Sequence, residues 1–278
     1  MSIALTVFQA RAGDRNDLAI PGAKSIGEVL ATELGIRASP IGTPEKALDA
    51  HWRIELDQAM AALRGIQTHF ERVMAEGHRP LSATSRCAVS LATIPVIAKH
   101  RPDACIVWFD AHGDLNTPDT SDSGYLGGLA LAGPAGLWDS GLGAGLALHN
   151  IILVGQRDLD PYEIELIDTG RVTHIKPGAA FVAQLEAAVA GRPVYIHLDC
   201  DVLEPGIVPT DYVCPEGLSL QDIHEACVAL ARSEVIGVEI AEFQNAWRPE
   251  QSPVSPAPLI EALEPVIDAL KSEPTQTR

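Results

Sequence analysis

An unbroken apolar run, Ala104-Cys105-Ile106-Val107-Trp108-Phe109, stops abruptly at Asp110. A run this short, with no polar residue alternating through it, predicts a β-strand buried on both faces. Such a strand needs neighbours on both edges and helices above and below it. The rest of the chain supplies candidates for both. Leu5–Gln9, Leu81–Ser85, Asn150–Val154, Val172–Ile175, Val194–Leu198 and Val235–Ile240 read as further strands. Helical patterning covers Ser25–Glu33, Ile54–Glu76, Ala88–His100, Pro161–Asp168, Gly178–Ala190, Leu220–Arg232 and Pro258–Leu270. Pro95 should bend the third of these or move its start. Strands alternating with helices of this length predict an α/β protein with a mostly parallel sheet. Two glycine-rich stretches, Gly124–Gly133 and Gly141–Gly145, read as loops, and no repeat or linker divides the chain. A single domain over residues 1–278 is expected, with a polar, frayed tail at Lys271–Arg278.

Composition narrows the partners. With 46% hydrophobic residues the chain has ample material for a core, and a net charge of −17 disfavours nucleic acid and anionic membrane surfaces. No apolar run approaches the roughly 18–20 residues that cross a bilayer. The N-terminal segment lacks a basic region, so no secretory signal is expected. The five cysteines, Cys87, Cys105, Cys200, Cys214 and Cys227, are scattered and contain no C-x-x-C pair. A reduced, cytoplasmic location follows as the expectation. Oligomeric state is left open by the helix surfaces.

Two predicted strands end in acidic clusters. The first continues from Phe109 as Asp110-Ala111-His112-Gly113-Asp114-Leu115-Asn116-Thr117-Pro118. The second is Asp199-Cys200-Asp201-Val202-Leu203-Glu204-Pro205. On extended chain, side chains alternate, so Asp110, His112 and Asp114 share one side, as do Asp199 and Asp201. In parallel α/β sheets the carboxyl ends of the strands are where ligands bind. Four converging carboxylates repel one another, and neither stretch contains a Lys or Arg. Divalent metal answers the repulsion. Oxygen-rich ligation with a nitrogen suits Mn²⁺, and four carboxylates suit a pair of ions that generate hydroxide for hydrolysis. The alternative is a pair of solvated strand-to-helix loops in which an aspartate caps a helix.

These stretches resemble the arginase/agmatinase family of ureohydrolases, whose motifs read D-A-H-x-D-x-N-T-P and D-x-D-x-x-D-P. Glu204 stands where the second motif has its third Asp. The late stretch Gly237-Val238-Glu239-Ile240-Ala241-Glu242-Phe243 is similar to the family's G-x-D-I-x-E, with Glu239 in place of Asp. The resemblance spans roughly residues 80–245. It implies a three-layer α/β/α sandwich and two Mn²⁺ ions whose shared hydroxide attacks a guanidino carbon. Asp110, Asp114 and Asp199 with residue 87 would hold one ion; Asp110, His112, Asp199 and Asp201 would hold the other. Glu242 would face the guanidinium. Asn116, Ser123 and Asp160, the last in Arg157-Asp158-Leu159-Asp160-Pro161, would read the amino-acid head of a small guanidino substrate. Asp158 or Asp160 could equally be a plain helix cap.

Two departures stand out. The family's G-G-D-H-S falls on Thr84-Ser85-Arg86-Cys87-Ala88, so Cys87 replaces a ligand histidine. A thiolate at a helix start beside a cation would have a lowered pKa and could ligate it, whereas a buried inert cysteine is the other reading. The family's S-G-N-L-H-G falls on Ser123-Gly124-Tyr125-Leu126-Gly127-Gly128. Gly127 thus replaces a proton-transferring histidine, leaving room in the site, and Tyr125 replaces a small amide. Tyr125 either lines the entrance or packs on the sheet edge. With the histidine gone, Asp114 or a water chain must protonate the leaving amine. The resemblance then implies a substrate carrying an N-hydroxyl, Nω-hydroxy-L-arginine, and a place in antibiotic (D-cycloserine) biosynthesis. An ordinary arginase or agmatinase, or a non-catalytic metal-binding relative, is the competing expectation.

Overall fold

The computed structural model describes residues 2–271. Met1 and residues 272–278 lie outside them, so the expectation of a frayed tail falls almost wholly on undescribed residues. In chain order the elements are β1 (Ile3–Phe8), α1 (Ala19–Leu34), β2 (Ser39–Ile41), α2 (Trp52–Ala75), β3 (Arg79–Ala83), α3 (Ser90–His100), β4 (Cys105–Phe109), β5 (Ile151–Val154), α4 (Pro161–Asp168), β6 (Thr173–Ile175), α5 (Phe181–Val189), β7 (Val194–Asp199), α6 (Leu220–Leu230), β8 (Val235–Ala241) and α7 (Ala257–Ala269). The strands form one eight-stranded sheet in the order β2-β1-β3-β8-β7-β4-β5-β6. Every pairing is parallel.

The apolar run Cys105–Phe109 is β4, paired with β7 on one edge and β5 on the other, and all of it is buried. Its residues alternate between two cores. Cys105, Val107 and Phe109 join the core made with α1, α5, α6 and α7. Ile106 and Trp108 join the core made with α2, α3 and the segment around Leu126–Leu131. Helices on both faces of a parallel sheet make the three-layer α/β/α sandwich that was expected.

The differences from the sequence reading have local causes. β2 was not foreseen because it is three residues long and contains Pro40, which only an edge strand tolerates. α1 starts at Ala19 rather than Ser25, since Pro21 falls in its first turn, where no intrahelical N–H is lost. α3 runs through Pro95, and the adjustment falls ahead of it, in a 3₁₀ turn at Cys87–Val89. A second 3₁₀ turn, Gly127–Leu129, lies inside a stretch read as loop.

α1 also packs tightly against the chain leaving β8. A Cβ built on Gly22 would sit 1.8 Å from the Phe243 carbonyl oxygen. Backbone cannot yield as a side chain does. Gly22→Ala should therefore destabilise the protein by about 3 kcal/mol, the upper end for overpacking. A thermal melt should show a fall of several degrees, and activity should drop as well because Glu242 adjoins the displaced residue.

Candidate active site

Four neighbouring strands in the middle of the sheet, β3, β8, β7 and β4, deliver their carboxyl ends to one cleft. Asp110 and Asp114 follow β4, Asp199 ends β7, Asp201 follows it, Cys87 follows β3 and Glu242 follows β8. Because β4 and β7 lie side by side, the two acidic stretches, some 90 residues apart in sequence, become one cluster. Asp110, Asp114, Asp199 and Asp201 are each no more than 5% exposed. Two backbone positions are bent to aim side chains inward. Asp114 has φ 52° and Glu242 has φ 64°, in the left-handed region that non-glycine residues rarely occupy.

The aspartates are individually oriented. Asp110 Oδ2 accepts from the Trp108 indole N–H at 2.9 Å, and its Oδ1 accepts from His112 N–H at 2.6 Å. Asp201 Oδ1 accepts from Ala111 N–H at 2.9 Å, and Asp199 Oδ1 accepts from Asp201 N–H at 2.8 Å. What remains points together. His112 Nδ1 lies 3.2 Å from Asp110 Oδ1 and 3.1 Å from Asp201 Oδ2. Candidate donor atoms of Asp110, His112 and Asp201 lie within 4.8 Å of one another, as do those of Cys87, Asp110 and Asp114, and of Cys87, Asp199 and Glu242.

The electrostatics of this arrangement call for added positive charge. Burial, and Asp201 alongside, push the Asp110 carboxyl up to about 7. Burial and neighbouring carboxylates push Asp114 and Asp199 well above the usual range. Burial opposes charge on His112, but Asp110 and Asp201 outweigh it and hold the imidazole protonated. Protons thus stand where the oxygen and nitrogen donors converge. The donor set fits divalent metal, with three aspartate-containing groups of one nitrogen, one sulfur and several oxygens.

Neither acidic stretch contains a Lys or Arg, but the fold brings Arg86, which is wholly buried, up to Glu242 beside them. Its Nη1 donates to Glu242 Oε2 at 2.7 Å and to Asp211 Oδ2 at 2.8 Å, and its Nε donates to Asp14 Oδ1 at 3.2 Å. Arg157 spends its guanidinium on backbone carbonyls instead, those of Gly155, Asp201 and Cys214 among them.

Cys87 is buried at the opening of the 3₁₀ turn ahead of α3, and its thiol donates to Asp199 Oδ2 at 2.9 Å. Burial, with Asp199 and Glu242 nearby, pushes this thiol well up. The lowering expected beside a cation therefore belongs to the metal-loaded site; burial and the carboxylates by themselves keep the thiol protonated. Behind Cys87 lies a group the sequence reading missed. His197 Nε2 is 3.1 Å from Cys87 Sγ, and its ring stacks on Trp108 at 3.6 Å and 5°. His197 Nδ1 meets Glu239 at 3.0 Å. Burial tends to raise Glu239, but hydrogen bonds from His197, Ser90 and Thr93 prevail and hold it below the ordinary range. Glu239 therefore supports the cluster from beneath, while Glu204 has left it and accepts from Gly217 N–H.

Asn116, Ser123, Tyr125, Gly127 and Asp160 all line the cleft. Asp160 is also the helix cap of α4, and its Oδ2 accepts from Asn116 Nδ2 at 2.6 Å. The sequence reading left room at Gly127; the structure fills it. A Cβ at Gly127 would meet Tyr125 Cε1 at 2.4 Å, so the phenol ring packs where a side chain at 127 would stand. The two departures are one device, and Tyr125 Oη reaches to 3.5 Å from Glu242 Oε1. Tyr212 and Glu163 complete the wall without having been foreseen.

The sequence profile of the Arginase family matches residues 13–258. The chain belongs to the arginase family. It is 39% identical over 272 residues to the N(omega)-hydroxy-L-arginine amidinohydrolase of Streptomyces lavendulae, covering 98% of this chain and all of that one. It is 24% identical to an agmatinase of Halalkalibacterium halodurans, covering 84% of this chain and 74% of the relative. The crystal structure of Bacillus subtilis arginase superposes over 99% of this chain and all of its own with a TM-score of 0.80, at 19% identity. This member of the arginase family is thus an amidinohydrolase of small guanidino compounds. Arginase-family enzymes use a binuclear metal site, and the cluster offers ligand residues for one. No helix among the described residues is long and apolar enough to cross a membrane.

Metal loading must displace the protons described above, so affinity rises with pH and falls as the carboxyls and His112 take protons back. Titration calorimetry in buffers of different ionisation enthalpy should show net proton release on metal loading near pH 7. Proton-neutral loading would contradict this electrostatic account.

Proposed function

We propose that this protein hydrolyses Nω-hydroxy-L-arginine to hydroxyurea and L-ornithine with two Mn²⁺, in an antibiotic pathway of the D-cycloserine type. The observation that carries the reading is the 39% identity to an N(omega)-hydroxy-L-arginine amidinohydrolase over 98% of this chain and all of that one. Cys87, Asp110, Asp114 and Asp199 would hold one ion, and Asp110, His112, Asp199 and Asp201 the other. Bound there, the ions would act as Lewis acids that make water a nucleophile near neutral pH.

The chain's own groups do the rest. Glu242, held from one side by Arg86 and Cys87 N–H, orients the guanidino group. Asn116, Ser123 and Asp160 hold the α-amino and α-carboxylate end, keeping the reacting carbon over the cluster. Tyr125 offers its phenol as a hydrogen-bond partner for the substrate hydroxyl. Water oxygen becomes the carbonyl of hydroxyurea while the bond from the guanidino carbon to the ornithine nitrogen breaks. Asp114 passes a proton to that leaving nitrogen. A site with groups built for the hydroxyl leaves them unpaired with arginine, a discrimination that can be large.

A steady-state panel of hydroxyarginine, arginine and agmatine tests the substrate, with urea and hydroxyurea measured as products. The kcat/KM for hydroxyarginine should exceed that for arginine by at least about tenfold. Equal or better use of arginine refutes the assignment.

For the ligands, Asp199→Ala should remove both metals and all activity, while Cys87→Ser should lower occupancy of one ion only, as read by elemental analysis. Cys87 that alkylates freely in the loaded protein, with no loss of metal or activity, would exclude it as a ligand. Gly127→His should shift preference toward arginine only when combined with Tyr125→Asn, because the ring blocks the new side chain.

A further inference from the structure

The Glu242 carboxylate is the group through which this site meets a guanidino substrate, yet it already carries a guanidinium of the protein's own. Arg86 Nη1 donates to Glu242 Oε2 at 2.7 Å, and Cys87 N–H donates to Oε1 at 3.0 Å, so both oxygens have a donor before any substrate arrives. Arg86 is not free to swing away. Asp14, itself wholly buried, grips its Nε, and Asp211 grips the same Nη1 that reaches Glu242. Asp211 is itself fixed by Asn16 Nδ2, which donates to its Oδ1 at 2.9 Å. The G-G-D-H-S motif that this stretch resembles has an aspartate where Arg86 stands, so the position reverses in charge.

We propose that Arg86 is a specificity-determining positioning residue that makes the site prefer the neutral form of its substrate's guanidino group. The inference rests on the hydroxyguanidine reading given above and deepens it. Arginine's guanidinium stays protonated at any pH the protein would meet, and at Glu242 it would be brought up against a second fixed guanidinium. An N-hydroxyguanidine is less basic, because its oxygen withdraws electrons, and it sheds its proton near neutrality. The neutral form keeps N–H donors for Glu242 without adding a cation beside Arg86. Other charged or titratable groups facing this pair are Asp14, Asp199, Asp201, Asp211, Tyr125, Tyr212 and Cys87. Asp14 and Asp211 are bonded to Arg86 itself, so Glu242 with its attached guanidinium is what the substrate meets.

The test uses the Mn²⁺-loaded enzyme and compares kcat/KM for hydroxyarginine and arginine from pH 6.5 to 9.5. For the wild type, kcat/KM with hydroxyarginine should climb as the substrate loses its proton. In Arg86→Gln that climb should flatten, and the arginine-to-hydroxyarginine ratio should rise at least tenfold, whereas Arg86→Lys, which keeps the charge, should retain the wild-type ratio. A ratio rising less than threefold in Arg86→Gln overturns the proposal. Removing a buried guanidinium from three carboxylates could unfold the variant, so a wild-type measurement stands beside it. L-citrulline, a neutral isostere of arginine, should inhibit hydroxyarginine hydrolysis with a Ki equal to or below that of arginine; tighter binding of arginine overturns the proposal. Failure of the underlying reading looks different: the wild type would itself favour arginine over hydroxyarginine as a substrate.

Discussion

Four aspartates at the ends of two adjacent strands repel one another, and the surrounding structure is organised around that repulsion. β4 and β7 pair in register, so the acidic stretches that follow them cannot avoid each other. The protein relieves the strain in three ways. Backbone N–H groups of Ala111, His112 and Asp201 hold individual carboxylate oxygens. His112 sits between Asp110 and Asp201. On the far side of the cluster, Arg86 takes Glu242 together with Asp14 and Asp211. At the centre these contacts are outweighed: burial first, and the neighbouring carboxylates second, keep Asp110, Asp114 and Asp199 raised.

This placement costs the backbone something. Asp114 and Glu242 hold left-handed conformations of a kind worth about 1–3 kcal/mol each. Both face the cleft, and both are kept there by contacts made elsewhere. The Glu163 carboxylate accepts from the N–H of Leu115, next to Asp114, and α1 presses on the carbonyl of Phe243, next to Glu242. The α4 cap and the start of α1 are thereby tied to the geometry of the cluster. Glycine at position 22 is a condition of the site as much as of the helix.

Much of this was legible in the sequence, and the limits were physical. Asp110, His112 and Asp114 were readable as one face because a strand alternates with period two, and Asp199 and Asp201 for the same reason. That the two stretches converge was taken from their place at strand ends; that β4 and β7 are neighbours was not legible, since strand order leaves no local signature. Arg86 was out of reach because its three partners come from positions 14, 211 and 242, on loops after three other strand ends. Glu239 was visible as a replacement for the motif's Asp, but its pairing with His197 was not, because the two residues lie 42 positions apart on neighbouring strands. Tyr125 and Gly127 were each visible as departures, but their packing against each other is set by the path of the loop. β2 was too short and too proline-marked to be distinguished from loop.

The stacking of Trp108 on His197 has an optical consequence. Trp108 is fully buried, donates its indole N–H to Asp110, and lies flat against the imidazole that touches Cys87. One aromatic ring is therefore one contact away from candidate ligands on both sides of the cluster. A change of charge at Asp110 alters the hydrogen bond that polarises the indole, and a change in the Cys87 contact is felt by the imidazole its face lies against. The chain thus carries its own chromophore for the electrostatic state of its centre, placed there by the alternation of a single buried strand.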